Sequence, residues 1–226
     1  MMNSPSTKKP KLSEQVFDRL REMVLHNELK VGNYYLEQEL AEQLGTSRTP
    51  LREAAIRLEQ EGLVNIIPRR GVFIRPVSAK EMKEIYEVLS CLEVAAIKSV
   101  CRQKLAGERL AELEAAQTAM KEALAKDDLE CWALNDKRFH QLLVEFSDNH
   151  ELSRLVNGYW DKTDRVRNLT LRLRKPPQQS TEEHREVIEA LKAGDAEHAS
   201  QLHIQHRQRA SDELTKLLEV LDHAFG

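Results

Sequence analysis

The sequence predicts a mostly α-helical protein, with a small N-terminal domain that ends in a β-hairpin and a C-terminal antiparallel α-helical bundle. Three observations predict this fold class. The 226 residues suggest one large or two modest domains, at about 150 residues per domain. Apolar residues recur at helical spacing along most of the chain, whereas short β-branched runs occur near residues 63–74. Eight glycines and seven prolines are few turn formers for an all-β sandwich or barrel.

Composition excludes several classes of protein. With 41% hydrophobic and 31% charged residues, the chain has material for a core and a well-solvated surface. Its longest apolar runs are far shorter than the roughly 20 residues that span a bilayer. No charged-then-apolar leader opens the sequence, so we expect a cytoplasmic protein that does not enter a membrane. The three cysteines lack CxxC spacing, which argues against a disulfide framework or a thiolate zinc site.

Charge is distributed unevenly along the chain. The net charge is −3, yet residues 1–78 hold 12 Lys and Arg against 10 Asp and Glu. Residues 46–75 alone hold six arginines against three glutamates. A local basic patch on an otherwise acidic protein favours a small nucleic-acid-binding module joined to a domain with another role. The alternative is a chance clustering of surface charge.

The N-terminal domain is predicted to span residues 12–76, after a polar tail over residues 1–11 that we expect to be disordered. Apolar residues at helical spacing begin at Leu12 and predict a helix that Gly32 and Asn33 interrupt. A second, short helix is predicted from Leu36 to Leu44.

A tight turn and a third helix follow. Gly45 allows the positive φ of the turn, and Thr46 or Ser47 is expected to cap the helix, which Pro50 enters in its first turn. The helix ends near Gly62. Two short β-branched runs, Leu63–Ile67 and Val72–Ile74, then predict a two-stranded hairpin with a basic tip.

This order of elements is that of a winged helix-turn-helix, and its chemistry suits DNA. Arg48 and Arg52 are four residues apart, so both project from one face at the start of the third helix. A helix in the major groove contacts base edges through its N-terminal residues, and an arginine can bind guanine O6 and N7 together. Thr46, Ser47 and Thr49 are short donors beside a positive helix end, which suits phosphate oxygens.

The hairpin tip adds a second predicted contact. Arg69 and Arg70 precede Gly71, so guanidinium groups and backbone could approach a narrow minor groove closely. The structural alternative is that the arginines of this domain only form surface ion pairs with Glu53 and Glu59.

The run LAEQLGTSRTPLREAAIRLEQEGLVNIIPRRGVFI resembles the DNA-binding domain of the GntR family of bacterial transcription regulators. The resemblance covers roughly residues 12–76. It implies that Arg48 and Arg52 contact bases, that Thr46, Ser47 and Thr49 help to anchor the DNA backbone, and that Gly71 sits at the minor groove. It also implies that the stretch Ala54–Ile56 is the inner face of the recognition helix.

The C-terminal domain is predicted to span residues 79–223 as a bundle of helices, with Ser78 capping the first. No strand-like alternation occurs there. The joints between helices fall at short Gly-, Pro- and Asp-containing segments. The six predicted helices cover residues 79–104, 107–126, 128–147, 149–174, 180–193 and 195–223.

Polar residues occur on the apolar faces of three of these helices. Asp136 lies inside the stripe of Trp132, Phe139, Leu143 and Phe146, with His140 one turn later at its edge. His184 shares the face of Val187, Ile188 and Leu191. In the last helix both His203 and His206 lie within the predicted stripe of Ala199, Leu202, Ala210, Leu217 and Leu221.

Such buried carboxylates and imidazoles are costly unless they have partners. A divalent metal ion held by one carboxylate oxygen and three imidazole nitrogens would supply a common partner, and Asp136 and His140 can bind one ion from a single helix. For any single histidine, a hydrogen-bonded core residue is the ordinary alternative. Periodicity does not separate His203 from His206.

The C-terminal half resembles the FCD-type domain of the FadR-like branch of the GntR family, through NDKRFHQLL, EEHREVIEALKAGD and the histidine after AGDAEHASQLHIQH. The resemblance implies the ligand set Asp136, His140, His184 and His206, with zinc or nickel as the ion and a small organic acid as the effector. Many relatives carry an arginine just before the Leu-Glu pair of the first helix, whereas this chain has Leu89-Ser90 ahead of Cys91-Leu92-Glu93.

An effector carboxylate would therefore need another cation. On the fourth helix of the domain, Tyr159, Thr163 and Thr170 are predicted to face inward, with Arg167 at the edge. Arg167, Tyr159 and Thr163 are the predicted effector-binding residues.

We therefore expect a metal-dependent, ligand-responsive transcription regulator, a repressor, that binds a palindromic double-stranded operator as a homodimer. An enzyme is the first alternative, because a metal with an open position could activate water. No HExxH helix, general-base glutamate or nucleophile–base signature supports it. An architectural DNA binder is the second alternative, but it would have no use for the inward histidines.

Overall fold

The structure is a computed structural model that describes residues 12–225, so the predicted N-terminal tail lies outside the described residues. Two compact units divide between Pro76 and Val77. Within the described residues the structure is mostly helical, with one small sheet in the first unit. The predicted fold class, a winged helix-turn-helix followed by an α-helical domain, is confirmed. No helix in the described part of the chain is both long enough and apolar enough to cross a membrane.

The first unit combines three helices with a three-stranded antiparallel sheet of order β1-β3-β2. Its core includes Leu20, Leu51, Leu58 and Ile74, which are fully buried. The elements are α1 (Leu12–Leu25), β1 (Tyr34–Tyr35), α2 (Glu37–Gln43), α3 (Arg48–Gln60), β2 (Val64–Ile67) and β3 (Gly71–Ile74).

Three details of this unit differ from the sequence prediction. Helix α1 ends at Leu25 rather than near Gly32, because Asn27 adopts a left-handed φ of 56° and the N–H of Leu29 closes the helix end on Met23. Strand β1 was not predicted, since two residues are too short to show alternation. Ile56 was expected in the core but is 42% exposed, as α3 turns its neighbouring alanines inward instead.

The second unit contains six α-helices among the described residues, as predicted. Ser78 caps the first of them, because its hydroxyl accepts the N–H of Glu81. The elements are α4 (Ala79–Arg102), α5 (Gly107–Ala125), α6 (Leu129–Glu145), α7 (His150–Thr170), a 3₁₀ turn (Leu171–Leu173), α8 (Gln178–Lys192) and α9 (Ala196–Phe225).

The helices pack with α4 against α7 and α9, α5 against α6 and α8, and α8 against α9. The predicted stripe of α6 is confirmed, since Trp132 and Phe139 are buried in the main core. The predicted apolar stripe of α9 is wrong toward the C-terminal end of the helix. There Leu214 and Leu218 are buried, and the predicted Leu217 is only half-buried. That end packs against a separate cluster around Val166, so its inward face is set by other neighbours than those of Ala199.

Candidate functional site

The first turn of α3 presents basic and hydroxyl side chains to solvent. Arg48, Thr49 and Arg52 are all exposed, because the opposite face of α3 carries the buried Leu51 and Ala54. Residues four apart on a helix are neighbours on one face. The two arginines therefore stand together at the end of a helix that a winged helix-turn-helix inserts into the major groove.

Ion pairing leaves these arginines available. Nη1 of Arg52 lies 3.8 Å from Oε2 of Glu37, and the Arg52 side chain is 62% exposed, so this pair contributes about 0–1 kcal/mol. Glu59 is engaged elsewhere, since its Oε1 accepts the backbone N–H of Ile66 at 2.7 Å. Within residues 12–225 neither Arg48 nor Glu53 forms an ion pair. The predicted alternative, arginines committed to Glu53 and Glu59, is therefore not what the structure shows.

The residues before α3 lead into the helix without a side-chain cap. Ser47 has extended backbone and precedes the helix, but its hydroxyl accepts no hydrogen bond from it. Ser47 therefore occupies the N-cap position, as predicted, but its side chain makes no capping hydrogen bond. The N–H of Thr46 donates to the carbonyl of Ala41 at 2.9 Å, which fixes the turn. Uncapped N–H groups at a helix start are suited to a phosphate oxygen.

The hairpin tip combines two basic side chains with strained backbone. Arg69 has a φ of 66° and Gly71 a φ of 89°. A side chain at Gly71 would overlap the carbonyl oxygen of Tyr35 in β1, so glycine is also required by packing within the domain. The guanidinium of Arg70 lies 5.4 Å from the ring centroid of Tyr34, a cation–π contact that the sequence did not reveal. Tyr34 therefore helps to position the tip.

Four polar residues converge inside the second unit. Asp136 and His140 come from α6, His184 from α8 and His206 from α9, and all four are buried. The Nε2 atoms of His184 and His206 are 3.2 Å apart. Oδ1 of Asp136 lies 3.7 Å from Nε2 of His184 and 4.0 Å from Nε2 of His140. The three histidines each offer a ring nitrogen within 4.8 Å of the others.

The spacing of the His184 and His206 nitrogens fits two neighbouring ligands of one divalent ion. Two nitrogen ligands at about 2.0–2.1 Å from a metal lie roughly 2.8–3.4 Å apart in octahedral or tetrahedral geometry, and the observed separation is 3.2 Å. Oδ1 of Asp136 and both ring nitrogens of His140 are buried without a hydrogen-bond partner among the described residues. Buried polar atoms ordinarily have partners. A cation that accepts oxygen and nitrogen ligands would complete this cluster.

The protonation states also suit metal binding. Burial lowers the pKa of His184 to about 4, and burial also lowers the pKa values of His140 and His206 well below the usual range. Burial alone would raise the pKa of Asp136, but Arg167, His184 and His206 together hold it below its usual value. At neutral pH the histidines are therefore neutral and the carboxylate is ionised, as ligands must be.

A second layer of contacts orients His206. Its Nδ1 lies 2.7 Å from Oε2 of Glu183, and that carboxylate is itself held by Arg209 at 2.5 Å. An Nδ1–H donated to Glu183 leaves the lone pair on Nε2, the atom that faces His184. Such carboxylate–histidine pairs fix the tautomer and raise the basicity of metal ligands.

His203 lies in a different network from His206. Its Nε2 is 2.9 Å from Oε2 of Glu93, a fully buried carboxylate that also accepts two N–H groups of Arg207 and the indole N–H of Trp160 at 3.2 Å. Burial would raise the pKa of Glu93, but Arg207 and His203 lower it far below the usual range. Glu93, His140 and His203 also lie close enough to share an ion. The carboxylate of Glu93, however, is already paired with the guanidinium of Arg207.

The three predicted effector-binding residues do not line one site. Arg167 donates to Oδ2 of Asp136 and so lies beside the histidine cluster. Thr163 is buried and donates to the carbonyl of Trp160 at 3.0 Å, while Tyr159 is half-buried against the cluster around Ile85. A cavity of about 1200 Å³ opens beside Asp136, and its lining includes Arg167 but neither Tyr159 nor Thr163.

Known proteins share both halves of this architecture. Residues 12–74 match the bacterial regulatory proteins of the gntR family, and residues 84–209 match the FCD domain. The HTH-type transcriptional regulator YdhC of Bacillus subtilis (strain 168) is 32% identical over 207 residues, which cover 91% of this chain and 92% of YdhC. The HTH-type transcriptional repressor RspR of Escherichia coli (strain K12) is 24% identical over 206 residues, 91% of this chain and 90% of RspR.

Solved structures show the same fold. The structure of E. coli McbR/YncC superposes with a TM-score of 0.79 at 24% identity, over 92% of this chain and 99% of that chain. A winged helix-turn-helix joined to a helical domain is the architecture of a transcription regulator. The chain belongs to the GntR family of bacterial transcription regulators and carries an FCD domain. The family and these relatives are regulators rather than enzymes, which settles the enzyme alternative.

Proposed function

We propose that this regulator binds a palindromic operator as a homodimer and that a small organic acid, held at a metal centre in the second unit, controls its affinity for DNA. The metal ligands are Asp136, His140, His184 and His206, and the ion is zinc or nickel. One observation carries the metal assignment. Three imidazoles from three helices meet in the core, and Oδ1 of Asp136 lies 3.7 Å and 4.0 Å from two of them. Among the described residues, Oδ1 of Asp136 and both ring nitrogens of His140 are buried without hydrogen-bond partners.

The metal centre and the cavity beside it would together hold the effector. The bound ion would supply an electrophilic centre for a carboxylate oxygen of the acid. Arg167, which the structure places on Asp136 at the edge of the cavity, would orient the acid and balance its charge. Thr163 and Tyr159, predicted from the sequence as further effector residues, have intramolecular contacts that favour a packing role.

The DNA side of the proposal uses the exposed end of α3 and the hairpin tip. Arg48 and Arg52 would contact bases, and Thr46, Ser47 and Thr49 would contact the phosphate backbone. At the tip, Arg69, Arg70 and Gly71 would lie at the minor groove.

Control of DNA binding would follow from linkage between the two sites. An effector that binds one arrangement of the helical unit better than another shifts the population toward it. In a dimer on a palindrome, that shift changes how well two recognition helices match two half-sites. We propose repression as the outcome, in line with the name of RspR, and action on DNA in the cytoplasm.

The test starts from an operator selected out of a random duplex pool with the full chain. We expect an inverted repeat, and a salt-dependent affinity that falls about 5- to 150-fold in Arg48→Ala and in Arg52→Ala, at about 1–3 kcal/mol per base-contacting arginine. Arg172→Ala is the matched control, because Arg172 is an exposed arginine of the second unit paired with Glu130.

The same assay separates the alternatives. Equal affinity of the wild type for every duplex would favour an architectural DNA binder and contradict the proposal. The sensor part requires that removal of the metal, or addition of an organic acid to the metal-loaded protein, changes operator affinity. If neither does, the helical unit is not a sensor.

A further inference from the structure

The lining of the cavity beside the histidine cluster has more basic than acidic residues. Six basic residues and three acidic residues line its volume of about 1200 Å³. This excess of basic residues favours an anionic occupant.

The arginines of this cavity differ in what they already bind. Three of the four have carboxylate partners: Arg167 with Asp136, Arg207 with Glu93, and Arg209 with Glu183. These three are internally neutralised. The fourth, Arg174, follows the 3₁₀ turn that ends α7.

Among the described residues Arg174 forms no ion pair, although the charges of Glu213 and Asp136 act on it from a greater distance. Its Nη2 donates to the carbonyl oxygen of Arg167 at 3.1 Å, which is one of the five N–H groups of a guanidinium. Its Nε is buried without a hydrogen-bond partner, and within residues 12–225 no carboxylate oxygen lies within 4.0 Å of it. Burial and the neighbouring Arg167 lower the pKa of Arg174. This half-buried guanidinium keeps N–H groups, the buried Nε among them, that can still bind an anion.

Arg167 connects this cation to the metal centre. Its guanidinium contacts Asp136, and its backbone carbonyl accepts from Arg174. The cavity lining includes Asp136, Arg167 and Arg174 together. Two positions for negative charge therefore lie in one cavity, on either side of Arg167.

Resting on the proposed effector site, we infer that the effector carries two acidic groups, one bound at the metal centre and the other bound by Arg174. The second group is a carboxylate or a phosphate, since both accept the paired N–H groups of an arginine. The sensed compounds are then short-chain diacids or phosphorylated acids rather than monocarboxylic acids.

Titration calorimetry on the zinc-loaded full chain tests this inference with acids of matched length. The pairs are butyrate with succinate, pentanoate with glutarate, and hexanoate with adipate, and 3-phosphonopropionate tests a phosphate-like second group. At least one diacid is expected to bind ten or more times tighter than its monoacid. Arg174→Gln is expected to abolish that preference and to leave monoacid affinity within twofold. Arg172→Gln, two residues away and exposed, is expected to change neither.

The contrary outcomes are distinct. If monoacids and diacids bind the wild type equally well, this inference fails while the proposed effector site stands. If Arg174→Gln weakens both classes equally, Arg174 only caps the end of α7 and the inference also fails. If no acid binds the metal-loaded protein, the proposed function fails with it. The comparison of acids on the wild type needs no variant, so the test does not depend on the folding of Arg174→Gln.

Discussion

Replacing Glu93 by glutamine removes the negative charge from the buried network beside the proposed metal centre. The Glu93 and Arg207 side chains are 0% and 3% exposed, and Glu93 also contacts His203 and Trp160. Glutamine has nearly the same shape, so packing is preserved. The substitution leaves the guanidinium of Arg207 charged, buried and without an anion.

The expected cost follows from that unpaired charge. Breaking a buried ion pair by removing one partner costs about 3–5 kcal/mol of the free energy of unfolding. For a chain of this size each kcal/mol lowers Tm by about 2–4 °C, so Glu93→Gln should lower the Tm of the second unit by roughly 6–20 °C.

Urea and thermal unfolding, followed by tryptophan fluorescence, measure this change. Both tryptophans, Trp132 and Trp160, lie in the second unit, so the signal reports on the unit that holds Glu93. Glu87→Gln is the control, because Glu87 is an exposed residue of the same helix, and its effect should stay within about 0.5 kcal/mol.

The double variant tests whether the unpaired buried charge causes the loss of stability. Arg207→Met alone leaves the carboxylate of Glu93 buried without its guanidinium partner. Glu93→Gln combined with Arg207→Met removes both charges of the pair. The double variant should therefore be destabilised by less than the sum of the two single changes, with a coupling of several kcal/mol. A single-variant loss below 1 kcal/mol, or additive losses in the double variant, would refute the reasoning.

Three further predictions concern the ligand geometry, its protonation and the hairpin. Glu183→Gln should weaken metal binding about 10- to 100-fold in competition with a chromophoric chelator, and an unchanged affinity would remove Glu183 from the site. Because burial lowers the pKa of His184 to about 4, protons compete with the metal only at low pH. Metal affinity should thus be nearly constant between pH 8 and 6 and fall below about pH 5; a steady decline from pH 7.5 to 6 would contradict the neutral, buried ligands. Gly71→Ala should lower the stability of the first unit and weaken operator binding, because φ is 89° and the added methyl meets Tyr35. Gly45→Ala, with a φ of 62° and open space around it, should cost only about 1–2 kcal/mol, and equal losses at the two glycines would argue against the overlap.

Helical periodicity predicted much of this structure because most helices bury one continuous face. Asp136, His140 and His184 could be placed in the core from their positions among apolar residues, and the structure buries all three. The same rule did not separate His203 from His206. Both face inward, and which one meets the cluster depends on Glu93 and Glu183, residues distant in sequence.

Other features have no local signature. Strand β1 is two residues long and exists because Tyr34 and Tyr35 pair with β3. Arg174 lies in the segment between α7 and α8, where no helical periodicity exists to predict which way a side chain faces. Its position in the cavity depends on the tertiary fold. The role of Glu93 is likewise visible only once α4 and α9 pack together.

Cobalt(II) titration of the metal-stripped full chain tests the central claim most directly, because visible absorption reports histidine ligation of the ion. We predict saturation at one equivalent per chain, loss of the spectrum in His206→Gln and retention of the spectrum in His203→Gln. A wild type with no saturable spectrum, or a spectrum that survives in His206→Gln but not in His203→Gln, would contradict a centre built from Asp136, His140, His184 and His206.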